Sequence, residues 1–333
     1  MTVVIPTLKA GEALAACLDA LEAQTLGDFD VVVVDNSGRG LARAAGRGHP
    51  RVRVLENSAN AGFGEAVNQG FRRSGAPFLA TLNDDAAPGP GWLEALVRAA
   101  RSDERAGMCA SRVMLAGQDL LDSAGMLASA DASSRQRGHG RPPREFSRAD
   151  QALCPSGSAA LYRRAMLDEV GLFDPDFFLY CEDTDLGLRG QWAGWRCLYA
   201  PDAVVDHRYS DSAGRASPLK AYLVERNRLF VLVKNFPLAM LLRAPFATLA
   251  RYFWHAASVV RGRGGAAARF RQDGQPALKL ALYAVRAHLA LAVNLPKLWR
   301  KRREVRRRAR ISAAEFRRVI KRHYISPREV ASL

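Results

Sequence analysis

Residues 31–37 read Val31-Val32-Val33-Val34-Asp35-Asn36-Ser37. Four β-branched residues in succession favour extended backbone. A continuous apolar run, rather than an alternating one, is what a strand covered on both faces requires. Upstream, 2–5 (TVVI) is a second short β-branched run, and Leu14, Leu18 and Leu21 recur at helical spacing within 11–24. Downstream, 52–55 (VRVL), a helical stretch near 64–74, 78–82 (FLATL) and a helix near 91–102 continue the alternation. Strands alternating with helices predict a doubly wound α/β fold, a mostly parallel sheet sandwiched by helices. Residues 116–150 break the rhythm with Gly, Ser, Arg and Pro (RQRGHGRPPREF) and read as a long, poorly packed insertion.

The chain has 333 residues, 48% of them hydrophobic, enough for one large domain or two. Charge is divided unevenly. Residues 215–333 hold 27 Lys and Arg against 5 Asp and Glu, whereas 1–214 hold 22 against 28. The basic character therefore belongs to the C-terminal third, and two parts with different work are expected. Five scattered cysteines without a C-x-x-C fit neither a disulfide framework nor a zinc cluster, so reduced thiols in a cytoplasmic setting are expected. The start, Met-Thr-Val-Val-Ile-Pro, lacks the basic and long apolar segments of an export signal. No run of about 18 apolar residues is free of charge, so no spanning helix is expected.

Ligands of open α/β sheets sit at the carboxyl ends of strands. Three polar clusters follow strands in that way: Pro6-Thr7, Asp35-Asn36-Ser37 and Asn83-Asp84-Asp85. The first turn, PTLKAG, has no G-x-G-x-x-G, and no Walker A loop follows. A diphosphate bound here would need another source of positive charge, and a divalent cation held by carboxylates is the simplest. Asn83-Asp84-Asp85 suits that task, though with Pro88 and Gly89 it also reads as an ordinary turn. Glu182-Asp183-x-Asp185-x-x-x-Arg189 reads as a helix start with an i,i+4 ion pair, or as a place where one carboxylate faces a cleft as a base. Gly157 offers close backbone approach to a substrate or merely a turn. His207 ends a short apolar run and on its own fits a structural role as well as a ligand role.

Taken in order, V-V-I-P-T, V-V-V-V-D-N-S, N-A-G-F-G-E-A-V-N-Q-G, L-N-D-D-A, S-G-S-A-A-L-Y-R-R, G-L-F-D-P-D-F-F-L-Y-C-E-D-T-D-L-G-L-R and P-D-A-V-V-D-H closely resemble glycosyltransferase family 2, and within it the bacterial rhamnosyltransferase-like branch. The resemblance spans about residues 2–235. It implies a GT-A fold over 1–214, with a donor half to about 110 and an acceptor half from 111 to 214, followed by a basic helical extension over 215–333. It implies that Pro6, Thr7 and Asp35 line the nucleotide pocket, with Asn83 and Asp84 also on the donor. Asp85 and His207 would hold Mg2+ or Mn2+. Asp183 would be the general base of an inverting transfer, with Glu182 and Gly157 beside the acceptor. The implied reaction moves a sugar, best read as rhamnose from dTDP-rhamnose, to a hydroxyl of a lipid-linked or cell-surface glycan. A UDP-sugar donor is the alternative. A nucleotidyltransferase fits less well, because PTLKAG is not a Gly- and Arg-rich phosphate loop.

The basic tail, with WRKRREVRRRAR at 299–310, could neutralise nucleic-acid phosphates or anionic lipid heads. The acidic catalytic part and the lack of a recognised nucleic-acid module favour lipid. The expectation is a cytoplasmic enzyme, peripheral on the inner face of the cell membrane, with homo-oligomerisation through the tail as another use of its apolar surface.

Overall fold

The computed structural model describes residues 1–208, 218–260 and 278–332. Residues 209–217, 261–277 and 333 lie outside the described residues, and with them the end of the anticipated catalytic part (209–214) and parts of the anticipated tail. The chain divides into two compact units: Met1–Met126 with Gln136–Ser212, and Leu127–Arg135 with Ala213–Leu333.

In the first unit the chain runs β1 (Thr2–Thr7), α1 (Glu12–Glu22), β2 (Asp30–Asp35), β3 (Val52–Glu56), α2 (Phe63–Arg72), β4 (Phe78–Leu82), β5 (Ala86–Pro88), α3 (Trp92–Arg101) and β6 (Ala106–Leu115). It continues with β7 (Leu121–Ser123), β10 (Asp150–Ala152), β11 (Ala159–Arg163), α4 (Arg164–Val170), α5 (Glu182–Trp192) and β12 (Arg196–His207), whereas β8 (Met126–Ala128) and β9 (Ser134–Gln136), which pair with each other, lie mostly in the Leu127–Arg135 segment of the second unit. The ten-stranded sheet is ordered β10-β12-β6-β11-β4-β1-β2-β3, with β5 on β12 and β7 on β6. The run 31–34 is covered on both faces, as its continuity requires. Val31 and Val33 join Leu14, Leu18 and Leu96 in one core, while Val32 and Val34 join Val67, Phe71 and Tyr162 in the other. Burying each such side chain contributes roughly 1.5–3 kcal/mol. Gly70 lets α2 lie against β1, since a Cβ there would come 2.6 Å from Val4.

The sheet is mixed. β1 is parallel to β2 and β4, and β12 is parallel to β6, but β11 runs antiparallel to both β4 and β6. The start of β11 therefore lies beside the carboxyl end of β4, with Ala159 opposite Leu82. Residues 116–150 are only in part the poorly packed insertion that their composition suggested, since 140–150 is mostly exposed but 121–133 is almost wholly buried. Leu121, Asp122, Ser123, Ala124 and Met126 are buried, and β7 extends the sheet. The glycines of this stretch serve turns between short strands, with Gly117, Gly125, Gly138 and Gly140 at positive φ.

The second unit holds α6 (Pro218–Asn235), α7 (Leu238–Val260), α8 (Leu278–Arg307), α9 (Ala313–Arg322) and α10 (Pro327–Ser332). α6 packs on α8, and α7 on α10. Its interior carries a buried ionic cluster. Arg251 donates to Asp131 at 2.7 Å and to Glu225 at 2.8 Å, and Arg228 donates to Glu225 at 2.5 Å.

Candidate active site

Every polar cluster singled out in the sequence lies at the carboxyl edge of the parallel strands or at an element that reaches it. Thr7 ends β1 opposite Asp35, which ends β2. Asp35 is buried, and its two oxygens accept from the backbone N–H of Ser37 at 2.9 Å and of Ala42 at 2.7 Å. Burial alone would raise its pKa, but the bonds from Ser37 and Ala42 outweigh it and lower the carboxyl below its usual range. Asp35 thus shapes the 37–42 loop as a fixed anion. Pro6 is half-buried beside it.

After β4, the three residues Asn83-Asp84-Asp85 turn in different directions. Asp84 accepts from the Thr7 hydroxyl at 2.6 Å. Burial raises the Asp84 pKa, and the neighbouring Asp85 adds to that against the Thr7 bond. The Asn83 amide nitrogen lies 3.2 Å from Nε2 of His207, and its backbone N–H donates to Ser158. Asp85 is buried, with Oδ1 3.2 Å from Nε2 of His207, yet this oxygen has no hydrogen-bond partner. β-pairing explains the meeting of residues so far apart in the chain, because His207 on β12 stands opposite Ala86 on β5. The far ring nitrogen of His207 is 2.8 Å from Asp122. Burial lowers the pKa of that imidazole, but the two flanking carboxylates outweigh it and raise it to about 9. Among the described residues, no group of three or more His, Cys, Asp and Glu is gathered that could by itself hold a metal ion.

The second centre is the start of α5. The turn before it places Phe178, Tyr180 and Cys181 at φ of 63°, 71° and 67°, left-handed conformations that non-glycine residues adopt at a cost of about 1–3 kcal/mol each. The turn is pinned from outside. The Phe178 carbonyl accepts from the Phe63 N–H at 2.8 Å, and it lies so close to Gly62, at φ +85°, that a Cβ there would collide with it. Asp183 then accepts from the Gly157 N–H at 3.0 Å, the Thr184 N–H at 2.6 Å and the Thr184 hydroxyl at 3.2 Å. Gly157 therefore presents its N–H to the carboxylate of Asp183. A helix N-terminus by itself favours the ionised carboxylate. Instead, burial dominates the donated bonds and raises its pKa, which makes it a stronger base.

Glu182 is only 6% exposed, and its Oε2 has no hydrogen-bond partner. Burial first, then the charge of Asp183, pushes its pKa to about 8. The rest of the motif is structural. Asp185 accepts from Nε of Arg189 at 2.9 Å, and the same guanidinium donates to the carbonyls of Val170, Gly171 and Leu172. The i,i+4 pair anticipated in the sequence is thus a buried clamp between α5 and the turn after α4.

Asp122 was not singled out in the sequence, and the 62–64 segment entered only as part of the N-A-G-F-G-E-A-V-N-Q-G stretch, with no role given to it. Asp122 sits in LLDSAGML, a short apolar stretch inside the presumed insertion, and a lone acid among apolar residues was the signal available.

The glycosyl transferase family 2 model matches residues 2–171. The chain is 33% identical over 248 residues to an N-acetylglucosaminyl-diphospho-decaprenol L-rhamnosyltransferase of Mycobacterium tuberculosis, covering 67% of this chain and 81% of that protein. It is 27% identical over 256 residues to an uncharacterized glycosyltransferase of Bacillus subtilis, covering 74% and 90%. Among solved structures, GalNAc-T7 with UDP, GalNAc and Mn2+ superposes with a TM-score of 0.57 at 16% identity, covering 70% of this chain and 47% of that one, so the chain spans about half its length. The mannosyltransferase PcManGT of Pyrobaculum calidifontis, in complex with GDP-Man and Mn2+, gives 0.50 at 19% identity, covering 91% and 84%. These two likenesses show a GT-A-type fold, and with the family model and the mycobacterial relative they lead to one assignment: the chain belongs to glycosyl transferase family 2.

Proposed function

We propose that the chain transfers rhamnose from a dTDP donor to a hydroxyl of a lipid-linked glycan, with inversion, using Asp183 as general base and a divalent cation at Asp85 and His207. The observation that carries this reading is the state of Asp183. Its carboxylate is oriented by the Gly157 and Thr184 donors and raised in pKa by burial, as a base that must take a proton from a hydroxyl requires. One base and one displacement suffice for inversion, with no covalent sugar on the enzyme. Thr7, Asp35, Asn83 and Asp84 would bind and orient the donor, and Glu182 would face the acceptor.

The residues present fit a divalent cation. Asp85 offers a buried oxygen without a hydrogen-bond partner 3.2 Å from Nε2 of His207. Mg2+ and Mn2+ sites of this kind take one or two protein ligands and complete their shell with substrate phosphate and water. Such a cation, when bound, would neutralise charge building on the leaving diphosphate.

The rhamnosyl donor and the lipid-diphosphate acceptor class are supported by the name of the mycobacterial relative, which acts on an N-acetylglucosaminyl-diphospho-lipid. We assign the catalytic work to 1–214 and attachment to an anionic membrane surface on the cytoplasmic side to 215–333. Leu242, Phe246, Leu249 and Phe253 lie exposed at helical spacing along α7, and among the described residues no helix is long and apolar enough to cross a membrane. A helix of that kind lies in the interface rather than across it.

The test is a panel of dTDP-, UDP- and GDP-sugars with the full chain, read by thermal protection and metal-dependent donor hydrolysis. Response to dTDP-rhamnose with Mn2+ or Mg2+ is the expected result. No response to any donor in the presence of either metal would overturn the proposal, and preference for a UDP-sugar would remove rhamnose from it.

A further inference from the structure

The side of His207 turned away from Asp85 is built as carefully as the side turned toward it. Asp122, on β7, is 2% exposed, and its Oδ2 is 2.8 Å from Nδ1 of His207. Its Oδ1 is 3.1 Å from Nδ1 of His139. An ionised carboxylate only accepts, so the hydrogen of the first contact belongs to Nδ1 of His207. In the neutral ring, the form that can ligate a cation, that leaves Nε2, the nitrogen near Asn83 and Asp85, as the atom that offers a lone pair. The Asn83 amide nitrogen lies 3.2 Å from the same Nε2.

We infer that Asp122 is a positioning residue for the metal site: it fixes the tautomer and ring plane of His207 so that Nε2 faces a cation at Asp85, and His139 holds the Asp122 carboxylate in that orientation. The inference rests on the reading of Asp85 and His207 as metal ligands. A ligating imidazole whose other nitrogen is held by a carboxylate is more basic and less free to rotate, and removing such a partner typically costs 10–100-fold in metal affinity. The residues involved come from the 83–85 turn after β4, from β7 and β12, and from the 136–141 turn, so that affinity depends on the folding of the 116–150 stretch.

The experiment measures Mn2+ affinity of the full chain by the electron paramagnetic resonance of free Mn2+, with dTDP present, for the native protein, Asp122→Asn, His207→Ala, Asp85→Ala and the Asp122→Asn/His207→Ala double variant. Thermal unfolding is followed in parallel. Asp122→Asn is expected to raise the Mn2+ Kd by about 10–100-fold. In the His207→Ala background, where there is no ring to orient, the same change is expected to add nothing. An Asp122→Asn protein that unfolds earlier but binds Mn2+ as tightly as the native one would overturn the inference. So would an equal loss in the two backgrounds. The metal reading fails separately: in that case the native protein and Asp85→Ala bind Mn2+ alike, and neither tightly.

Discussion

Replacing Glu182 by glutamine keeps the shape of the side chain and removes its charge. The consequence is a change in how stability varies with pH. The Glu182 carboxyl is buried, has one oxygen without a hydrogen-bond partner, and is raised from 4.5 to about 8 by burial and by the charges of Asp183 and Asp185. In the unfolded chain it titrates near its usual value. Between about pH 5 and pH 8 the folded chain therefore holds a proton that the unfolded chain has released, and stability falls as pH rises through that window. At 1.36 kcal/mol per pH unit, the native protein is expected to lose about 4 kcal/mol across it from this one group. Glu182→Gln removes that loss. The buried amide brings its own cost of about 1–3 kcal/mol where a polar atom is left unpaired, but that cost does not vary with pH and moves the whole curve without changing its slope. The assay is urea unfolding at pH 5, 6.5 and 8, followed by tryptophan fluorescence. Trp92, Trp192 and Trp195 belong to the same compact unit as Glu182, so a Trp254→Phe/Trp299→Phe background confines the signal to it. Parallel stability curves for the two proteins would refute the reasoning, because they would mean that Glu182 is ionised in the folded state at pH 7.

Asp183→Asn is expected to preserve donor-induced thermal protection while lowering transfer by 10²-fold or more, the scale of a lost general base, measured as product formed at saturating donor. Arg189→Met leaves Asp185 buried without its cation and frees the carbonyls of residues 170–172, so a loss of about 3–5 kcal/mol is expected by denaturant unfolding. In the helical unit, burial would raise the Glu225 pKa, but Arg228 and Arg251 overcome it and hold it at about 2. Its stabilising contribution is present above about pH 4.5 and lost as pH falls toward 2. Helix content monitored by circular dichroism should therefore fall over that acid range in the native protein, and Glu225→Gln should flatten the response.

How much of this was legible in the sequence varied with the range of the interaction. Local patterns were sufficient for β1, α1, β2, β3, α2, β4 and α3, because apolar periodicity and β-branched runs are properties of neighbouring residues. The run 31–34, with its two faces in two cores, is the clearest case. Asp35, Asp85, Asp183 and His207 stood out by their order along that pattern. No local signal marked β11 as antiparallel, and that orientation is what sets Gly157 and Ser158 against the end of β4 and Asp183 against Gly157.

Tertiary structure alone decided the protonation chemistry and the partners. The E-D-x-D spacing is compatible with carboxylates that are solvated at a helix start. Burial instead raises Glu182 and Asp183, because removing water penalises the charged form more than a helix terminus stabilises it. Asp122 reaches His207 across 85 residues of chain, from a stretch whose Gly, Ser and Arg content reads locally as loop. The sequence by itself determined which residues stand at strand ends, since a strand ends where its apolar run ends. Which of those ends meet, and how dry the meeting place is, depended on sheet order and packing that no short window of sequence contains.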